Sequence, residues 1–596
     1  MNYNNIRNNN NNKRNNNNNN RNNNKQKIVF KNKVTFCVRM LFKYKYDISI
    51  VMGYYNRKQQ TINTLDYFEN YKSYNYEVII VDDNSTPEHH LDDIIKKYTF
   101  PIKYIKITEE EKGNRINPCV TYNRGFKEAE GERVIIQNPE CIHRGNILEY
   151  VKTKLTYEDY IAFSCYNCSS FELTQELLKN VLLINSPEFN SRNKFQWYNH
   201  PTIRPVHYHF CAAIMNDNLK LLGGFNEEFA KGHSFDDNEI LLSIKANLKL
   251  NIKTIDPKEG GFVIHQWHPR DAESKFSQQV FNSMLSRNQQ LYVMYQTEHS
   301  KYQFQFPKLL HLYWDGSPLS YLNLLTVLSF NKYHIGWKIN VFCPIKRNEH
   351  ISWTTHEQKK KYTGIDYFDE LKKLQNVNIH YIDTELLPFE HKDASEVIKS
   401  DYFRLYILNR FGGLWSDFDI IYTSNIERYY QMKNINPTKN MVLYRYGLKE
   451  ANRNIYPVGL FLSKKSNSIL GTILKHIHLF YDKSNYQCLG CSMFHMIFNS
   501  YNLYPKMKDV FTQMNLKELH IDDADCYLKV KWNQLDTFYK NKDVATSLFE
   551  QDGNIIGVHW FNGADVSKDY CNNLNLDLLK NSEPTCLIDK FVKQYI

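Results

Sequence analysis

The stretch "SDYFRLYILNRFGGLWSDFDIIY", Ser400 to Tyr422, decides how this chain reads. Around its start Ala394, Val397, Ile398, Leu405 and Leu408 recur at helical spacing, giving a helix from about Ala394 to Asn409 with one apolar face. Asp401 and Arg404 sit inside that stripe, three residues apart on neighbouring positions of one face. Gly412-Gly413 then stops the helix and turns the chain into a strand. Along that strand Asp417 and Asp419 fall on one side, Phe418 and Ile420 on the other. A buried charge is costly unless it is paired or serves a ligand. Two uses therefore stay open for Asp401 and Arg404: an internal pair tying helix to sheet, or groups turned toward a ligand. Two carboxylates at the end of a strand in an α/β sheet lie where ligands bind. A divalent cation on a diphosphate is held by one or two such carboxylates.

Working outward, the same alternation recurs on both sides. "FPKLLHLYWDG", "WKINVFCP" and "NVNIHYID" precede the helix as strands. Far upstream, "DISIVMGYYNR", "YEVIIVDDNS", "IKYIKI" and "ERVIIQNPE" form another β-α-β-α-β series, which implies a parallel sheet flanked by helices. Between the series, residues 273–305 are polar and helical. The chain therefore divides into a low-complexity Asn-rich tail (1–27), a first α/β unit (46–272), a helical linker (273–305), a second α/β unit (306–570) and a C-terminal helical segment (571–596). The tail has almost nothing apolar to offset the entropy of ordering it and is expected to be disordered.

Composition bounds the function. A chain of 596 residues is too long for one core, and roughly three to four domain-sized units would suit its length. The net charge of +11 is modest for this size; it favours anionic ligands such as nucleotide phosphates. No dense Lys/Arg block stands out, so nucleic-acid binding is not expected. The 12 cysteines include two CxxC pairs, Cys165/Cys168 and Cys488/Cys491, which fall in different units and so do not frame a zinc site. They read as reduced thiols of an intracellular protein. No apolar run reaches the ~18 residues of a membrane span, and the start has no signal-peptide pattern. A cytoplasmic protein is expected. The Asn/Lys/Ile/Tyr-heavy usage suggests an AT-rich genome, such as a viral one.

The opening stretch resembles the DxD region of retaining glycosyltransferases of the GT-A fold, in particular the group of yeast-type α-mannosyltransferases and clostridial glucosylating toxins. "PKLLHLYWDG" resembles that group's first strand and nucleotide loop, and "GVHWFNG" its closing His motif. The resemblance implies that Asp417 and Asp419 hold Mn²⁺ or Mg²⁺ on the donor diphosphate, with His559 as a further ligand. It also implies that Asp401 and Arg404 contact sugar and ribose hydroxyls, that Trp314 lies near the base, and that transfer is a same-face substitution. By residue chemistry alone His559 is equally a satisfied histidine beside Trp560. The acidic run "HIDDADC", His520 to Cys526, reads as an exposed turn.

The first unit resembles inverting, family-2-type glycosyltransferases, also of GT-A fold. In that pattern a strand-terminal Asp reads the nucleotide, here Asp83 with Asp82 beside it; capping of the following helix is the alternative. "GGFNEEFAKGHSFDDNEILLSIK" resembles the acceptor motif of galactosyl- and N-acetylgalactosaminyl-transferases. It implies that Asp237, with Asp236 adjacent, is the general base that deprotonates the incoming hydroxyl. "VIHQWH" resembles the late His motif, making His265 a metal ligand or a core histidine, and His268 a weaker candidate. Where that family carries its own DxD, this chain reads "QNPE", with Glu140 as the one carboxylate. The two halves are therefore expected to hold donor differently.

The expected whole is an α/β chain of two tandem GT-A domains. It would be a bifunctional glycosyltransferase using UDP- or GDP-sugars and a divalent cation on a glycan or glycoprotein acceptor. A single-activity enzyme whose first unit only binds glycan, a toxin-like protein glycosyltransferase and a carbohydrate-binding protein stay open beside it.

Overall fold

Apolar runs bounded by turns become the central strands of two large sheets. The structure is a computed structural model, and it describes residues 41–269, 276–346, 360–448, 453–499, 505–541, 543–549 and 554–596. The Asn-rich tail, and the start of the 273–305 segment, lie outside the described residues.

The first half contributes β1 (Tyr46–Tyr54), β2 (Tyr76–Asp82), β3 (Ile102–Lys106), β4 (Gly131–Gln137), β5 (Cys141–Arg144), β6 (Asp159–Asn167), β7 (Trp197–Asn199), β8 (Cys211–Met215), β9 (Asn251–Ile255) and β10 (Phe262–His265). Their order is β3-β2-β1-β4-β8-β6-β10-β5, with β7 and β9 also paired to β6. β1 to β4 run parallel, and β8 enters antiparallel against β4. β2 is buried at all seven positions, the signature of a strand covered on both faces.

The second half repeats this plan. β11 (Leu309–Tyr313), β12 (Lys338–Pro344), β13 (Val377–Ile382) and β14 (Gly413–Ser416) lie parallel in the order β13-β12-β11-β14. β15 (Ile420–Tyr422), β16 (Met441–Leu448), β17 (Arg453–Ile455), β18 (Leu460–Ser463), β19 (Leu519–Asp523) and β20 (Gly557–His559) follow. β18 enters antiparallel against β14, as β8 does against β4. In each half the first strand is central, and the fourth stands between it and an antiparallel strand.

The helix before β14 spans Glu396–Phe411. Ser395 caps it by accepting from the Ile398 amide at 3.3 Å. Gly412 and Gly413 end it with φ of +70° and +105°, left-handed values that favour glycine. The expectation of one continuous strand through the two aspartates does not hold. β14 stops at Ser416, residues 417–419 form a turn, and β15 leaves to pair antiparallel with β20. The partner strand is supplied from the far end of the chain, which local alternation does not encode.

An apolar cluster runs without interruption from Val51, Ile79 and Ile214 of the first half to Leu309, Phe403 and Trp415 of the second. Across that junction the fully buried Asp217 is ion-paired to Arg410 and accepts from Tyr44. Asn378 Nδ2 donates to Leu221 O at 3.1 Å, and Asn247 Nδ2 to Lys308 O at 2.9 Å. Residues from 571 onward pack into the second core through Cys571, Leu587, Ile588 and Phe591. The polar segment between the halves is a single helix, Gln278–Ser300. Of the acidic run His520 to Cys526, the first four residues belong to β19, where Asp522 accepts from the Tyr429 hydroxyl at 2.7 Å, and Ala524–Cys526 turn after it with Asp523 and Asp525 exposed. Among the described residues no helix is long and apolar enough to cross a membrane.

Candidate functional site

Each fourth strand ends in a carboxylate turn that leads into a short strand paired antiparallel with a segment from far along the chain. In the first half β4 ends at Gln137, Asn138-Pro139-Glu140 turn, and β5 pairs antiparallel with β10 so that Cys141 faces His265. In the second half β14 ends at Ser416, Asp417-Phe418-Asp419 turn, and β15 pairs antiparallel with β20 so that Ile420 faces His559. The correspondence extends to individual bonds. His265 Nε2 lies 3.2 Å from Glu140 Oε1, and His559 Nε2 lies 3.2 Å from Asp419 Oδ1. The Gln266 amide donates to Glu140 O at 3.1 Å, and the Trp560 amide to Asp419 O at 2.9 Å.

The first turn borders a cleft of about 1140 Å³. Gln137 locks the turn from below, its Nε2 donating to Cys141 O at 2.7 Å and its Oε1 lying 2.6 Å from His143 Nε2. The Tyr122 hydroxyl donates to Asn138 Oδ1 at 3.0 Å. Glu140 is buried, which works to raise its carboxyl. The hydrogen bond from His265 and the charges of His268 and His265 outweigh burial and hold it well below the usual carboxylate range. His268 Nε2 sits 3.6 Å away on the same oxygen. Glu140, His265 and His268 offer three ligand atoms within 4.8 Å of one another.

Across the cleft the helix Asp236–Ser243 begins with the acidic pair. Asp236 accepts from Asn117 Nδ2 at 2.9 Å; burial, with the neighbouring Asp237 charge, pushes its carboxyl up to about 6. Asp237 is more open and faces His209 Nδ1, while its Oδ1 accepts from the His209 amide at 3.3 Å. His209 is wedged edge-on between Tyr122 and Phe225. Burial works against its charged form, but Asp237 outweighs that and its imidazole is raised. Asp83 lines the same cleft between Lys112 Nζ and Arg115 Nη2, each at 3.2 Å. Asp82 does not reach the cleft. It accepts from the Ser85 amide at 2.8 Å and from Tyr104, which fixes the turn after β2. Of the two strand-terminal aspartates, Asp82 thus holds the turn after β2; it does not cap the helix that follows, whose N-cap is Thr86.

The second turn borders a pocket of about 380 Å³, in which Asp401, Arg404, Asp417, Asp419 and His559 meet. Arg404 Nη2 lies 2.7 Å from Asp401 Oδ1, and Arg404 Nη1 donates to Val458 O at 2.7 Å while lying 3.5 Å from Asp417 Oδ1. Trp415 supports this group from below: its ring faces the guanidinium, and its Nε1 donates to Asp417 Oδ1 at 2.9 Å. Burial pushes the Asp401 carboxyl up to about 6, with the Asp417 charge adding and Arg404 opposing. Asp419 accepts from the Asn562 amide at 3.0 Å. Burial would raise its carboxyl, but His559 outweighs burial and holds it low; the same pairing raises His559. Asp419 Oδ1 is buried with no hydrogen-bond partner besides this ion pair. Trp314 stands apart from the pocket lining. Its Nε1 donates to Ser317 O at 2.6 Å, and its ring packs edge-on against Phe418 in the core.

The structure thus brings Asp83, Glu140, Asp236 and Asp237 to one cleft, with His265 behind Glu140, and Asp401, Arg404, Asp417, Asp419 and His559 to another. His209, Asn117, Lys112 and Arg115 have no part in the sequence motifs, and Trp415 lies within the opening stretch but is given no role there. Only "GNRINP", Gly113 to Pro118, carries a loop signal that could have drawn notice.

Residues 49–220 match the family described as glycosyl transferase family 2, and residues 369–552 match the family described as capsular polysaccharide synthesis protein. Each match covers less than half of the chain. The first match includes Asp83, Glu140 and His209. The second match includes Asp401, Arg404, Asp417 and Asp419. No curated protein matches the chain. Among solved structures, TarS of S. aureus is similar at 19% identity with a TM-score of 0.26; the match covers 38% of this chain and spans only 37% of TarS. Glucosyl-3-phosphoglycerate synthase from Mycobacterium tuberculosis, in complex with Mn²⁺, UDP and phosphoglyceric acid, is similar at 16% identity (TM-score 0.26, 41% of this chain and 78% of that one). The mannosyltransferase PcManGT from Pyrobaculum calidifontis, in complex with GDP-Man and Mn²⁺, is similar at 15% identity (TM-score 0.25, 42% and 66%). At these scores the likenesses carry no weight below.

Proposed function

We propose that the chain is a bifunctional glycosyltransferase with two GT-A-type sites, both using nucleotide-sugar donors. The observation that carries this reading is the repeated turn, a carboxylate turn after each fourth strand backed by a histidine at 3.2 Å from a distant antiparallel strand, opening in both halves onto a cleft. The glycosyl transferase family 2 match supports it for the first half.

In the first half the reaction proposed is an inverting transfer. The acceptor hydroxyl attacks the anomeric carbon, Asp237 takes its proton, and the bond to the nucleoside diphosphate breaks. Asp237 suits this because it opens to the cleft, while buried Asp236 is tied to Asn117. Arg57, Lys112 and Arg115 line the same cleft and offer positive charge to a diphosphate. In the second half Asp401 and Arg404 would bind donor hydroxyls, and transfer would be retaining.

Mn²⁺ or Mg²⁺ would be held by Asp417, Asp419 and His559 in the second half, and by Glu140 with His265 and His268 in the first. Carboxylate oxygens suit these hard cations, an imidazole ligand favouring Mn²⁺ over Mg²⁺, and Asp419 Oδ1, buried and met only by His559, is placed for a ligand role. When bound, the cation offsets charge on the leaving diphosphate.

A glycan rather than a protein acceptor is supported by the polysaccharide-synthesis match in the second half, which weighs against the toxin-like alternative. The test is release of UDP or GDP from a panel of UDP- and GDP-sugars with Mn²⁺. Release should occur slowly by hydrolysis even without acceptor. If no donor in the panel is turned over under any acceptor condition, the enzyme reading is wrong.

A further inference from the structure

The helix Gln278–Ser300 looks from its sequence like a connector. Polar and apolar residues alternate along it without a continuous apolar face, and the structure leaves it exposed or half-buried at every position but one: Asn288 is fully buried. An amide buried that deeply in a surface helix needs partners for both ends. Asn288 Nδ2 donates to Phe229 O at 3.0 Å and to Ser234 O at 2.9 Å, and its Oδ1 accepts from Arg287 Nη1 at 2.9 Å. The side chain presses directly on the adjoining loop. A Cβ added to Gly232 would lie 2.1 Å from Asn288 Oδ1, so only glycine admits this approach. A second tie runs from the His233 amide to Met284 O at 3.2 Å.

The loop so gripped leads straight into the acidic pair. Ser234 and Phe235 are consecutive non-glycine residues in the left-handed region, with φ of +59° and +67°. Such a pair persists only where surrounding contacts hold it. Asp236 and Asp237 follow immediately and start their helix from this turn. Released, the backbone would relax toward ordinary φ values and re-aim both carboxylates.

We infer that Asn288 is a positioning residue for the first site, holding the strained Ser234–Phe235 turn so that Asp237 faces the cleft. The inference rests on the reading of Asp237 as general base. Two N–H donors are what the site uses; leucine has similar bulk and none, and it is a good helix former.

The test uses the full chain with the second site silenced by Asp417→Ala and Asp419→Ala, so that remaining transfer reports the first site. Asn288→Leu should lower kcat by roughly 10- to 100-fold, the cost of a catalytic group displaced by about an ångström, with donor KM within twofold. Gly232→Ala, which pushes the same contact from the opposite side, should lower kcat in the same way. A kcat within twofold of the parent, or a loss in which donor KM rises in proportion, overturns the inference. Should Asn288→Leu lose its cooperative melt, Gly232→Ala decides on the same criteria. Asp237→Asn in the same background separates the two readings. If it abolishes transfer while Asn288→Leu leaves kcat within twofold of the parent, only this inference fails. If Asp237→Asn leaves transfer unchanged, the general-base reading fails and this one with it.

Discussion

The turn after β4 and the turn after β14 are built on one backbone plan and carry different chemistry. Each opens from a fourth parallel strand, hands its next strand to an antiparallel partner far along the chain, and sets a histidine 3.2 Å from its last carboxylate. The first places Asn138 where the second has Asp417, and it gathers two histidines on Glu140 where the second pairs Asp419 with one histidine and a backbone amide. Opposite the first turn stand Asp236 and Asp237, and Asp237 is open enough to take a proton. Opposite the second stand Asp401 and Arg404, already bound to each other. The repeated fold fixes where charge can be presented. The side chains at those places choose what is done with it.

The comparison breaks most visibly at the base. Asp237→Asn should cost 10²- to 10⁴-fold in first-site transfer, the usual worth of a general base, and leave second-site turnover unchanged; equal losses at both sites would dissolve the contrast. Asp417→Ala with Asp419→Ala should lower second-site release of nucleoside diphosphate on the order of a hundredfold or more, as expected when charge stabilisation of a leaving group is removed. Unchanged release would remove the second half as a catalytic site. Arg410→Leu asks whether the halves are separable at all. It strands the fully buried Asp217, and breaking such a pair costs about 3–5 kcal/mol. Urea denaturation should show both halves unfolding in one earlier transition; a first half that melts apart from the second would contradict the shared core. Glu140→Gln should lower first-site turnover about 10- to 100-fold, with added Mn²⁺ restoring part of it if the cation is held there. Indifference of this variant to Mn²⁺ would make the first site metal-independent and sharpen the difference between the two turns.

Much of this plan was legible in the chain itself. The spacing from Ala394 to Leu408 and the Gly-Gly stop give the helix now bounded at Glu396–Phe411, because helix periodicity and termination are local properties. The alternation of strands and helices gives the parallel four-strand start of each sheet for the same reason, while the antiparallel strands that complete the sheets come from pairing at long range. The turn at Asp417–Asp419 was not legible as a turn. Its strand continues only by pairing with residues 557–559, and that partner leaves no trace in local alternation. Trp314 belonged to a recognisable motif yet packs against Phe418, whereas Trp415, inside the opening stretch but given no role there, supports Arg404 and Asp417. His209 carried no signal because its role comes from Asp237, met across the cleft.

By itself, then, the sequence determined the elements of this protein: two α/β series, their order, and carboxylates at strand ends. Propensity, periodicity and turn chemistry act between near neighbours and are written in consecutive residues. Only the tertiary structure decided which carboxylates share a cleft, that Asp82 faces away while Asp83 does not, and that an amide in a polar helix grips the turn before Asp237. Those facts arise from closure of the chain over long separations, where burial and hydrogen-bond satisfaction select one arrangement among many that the same local pattern would allow.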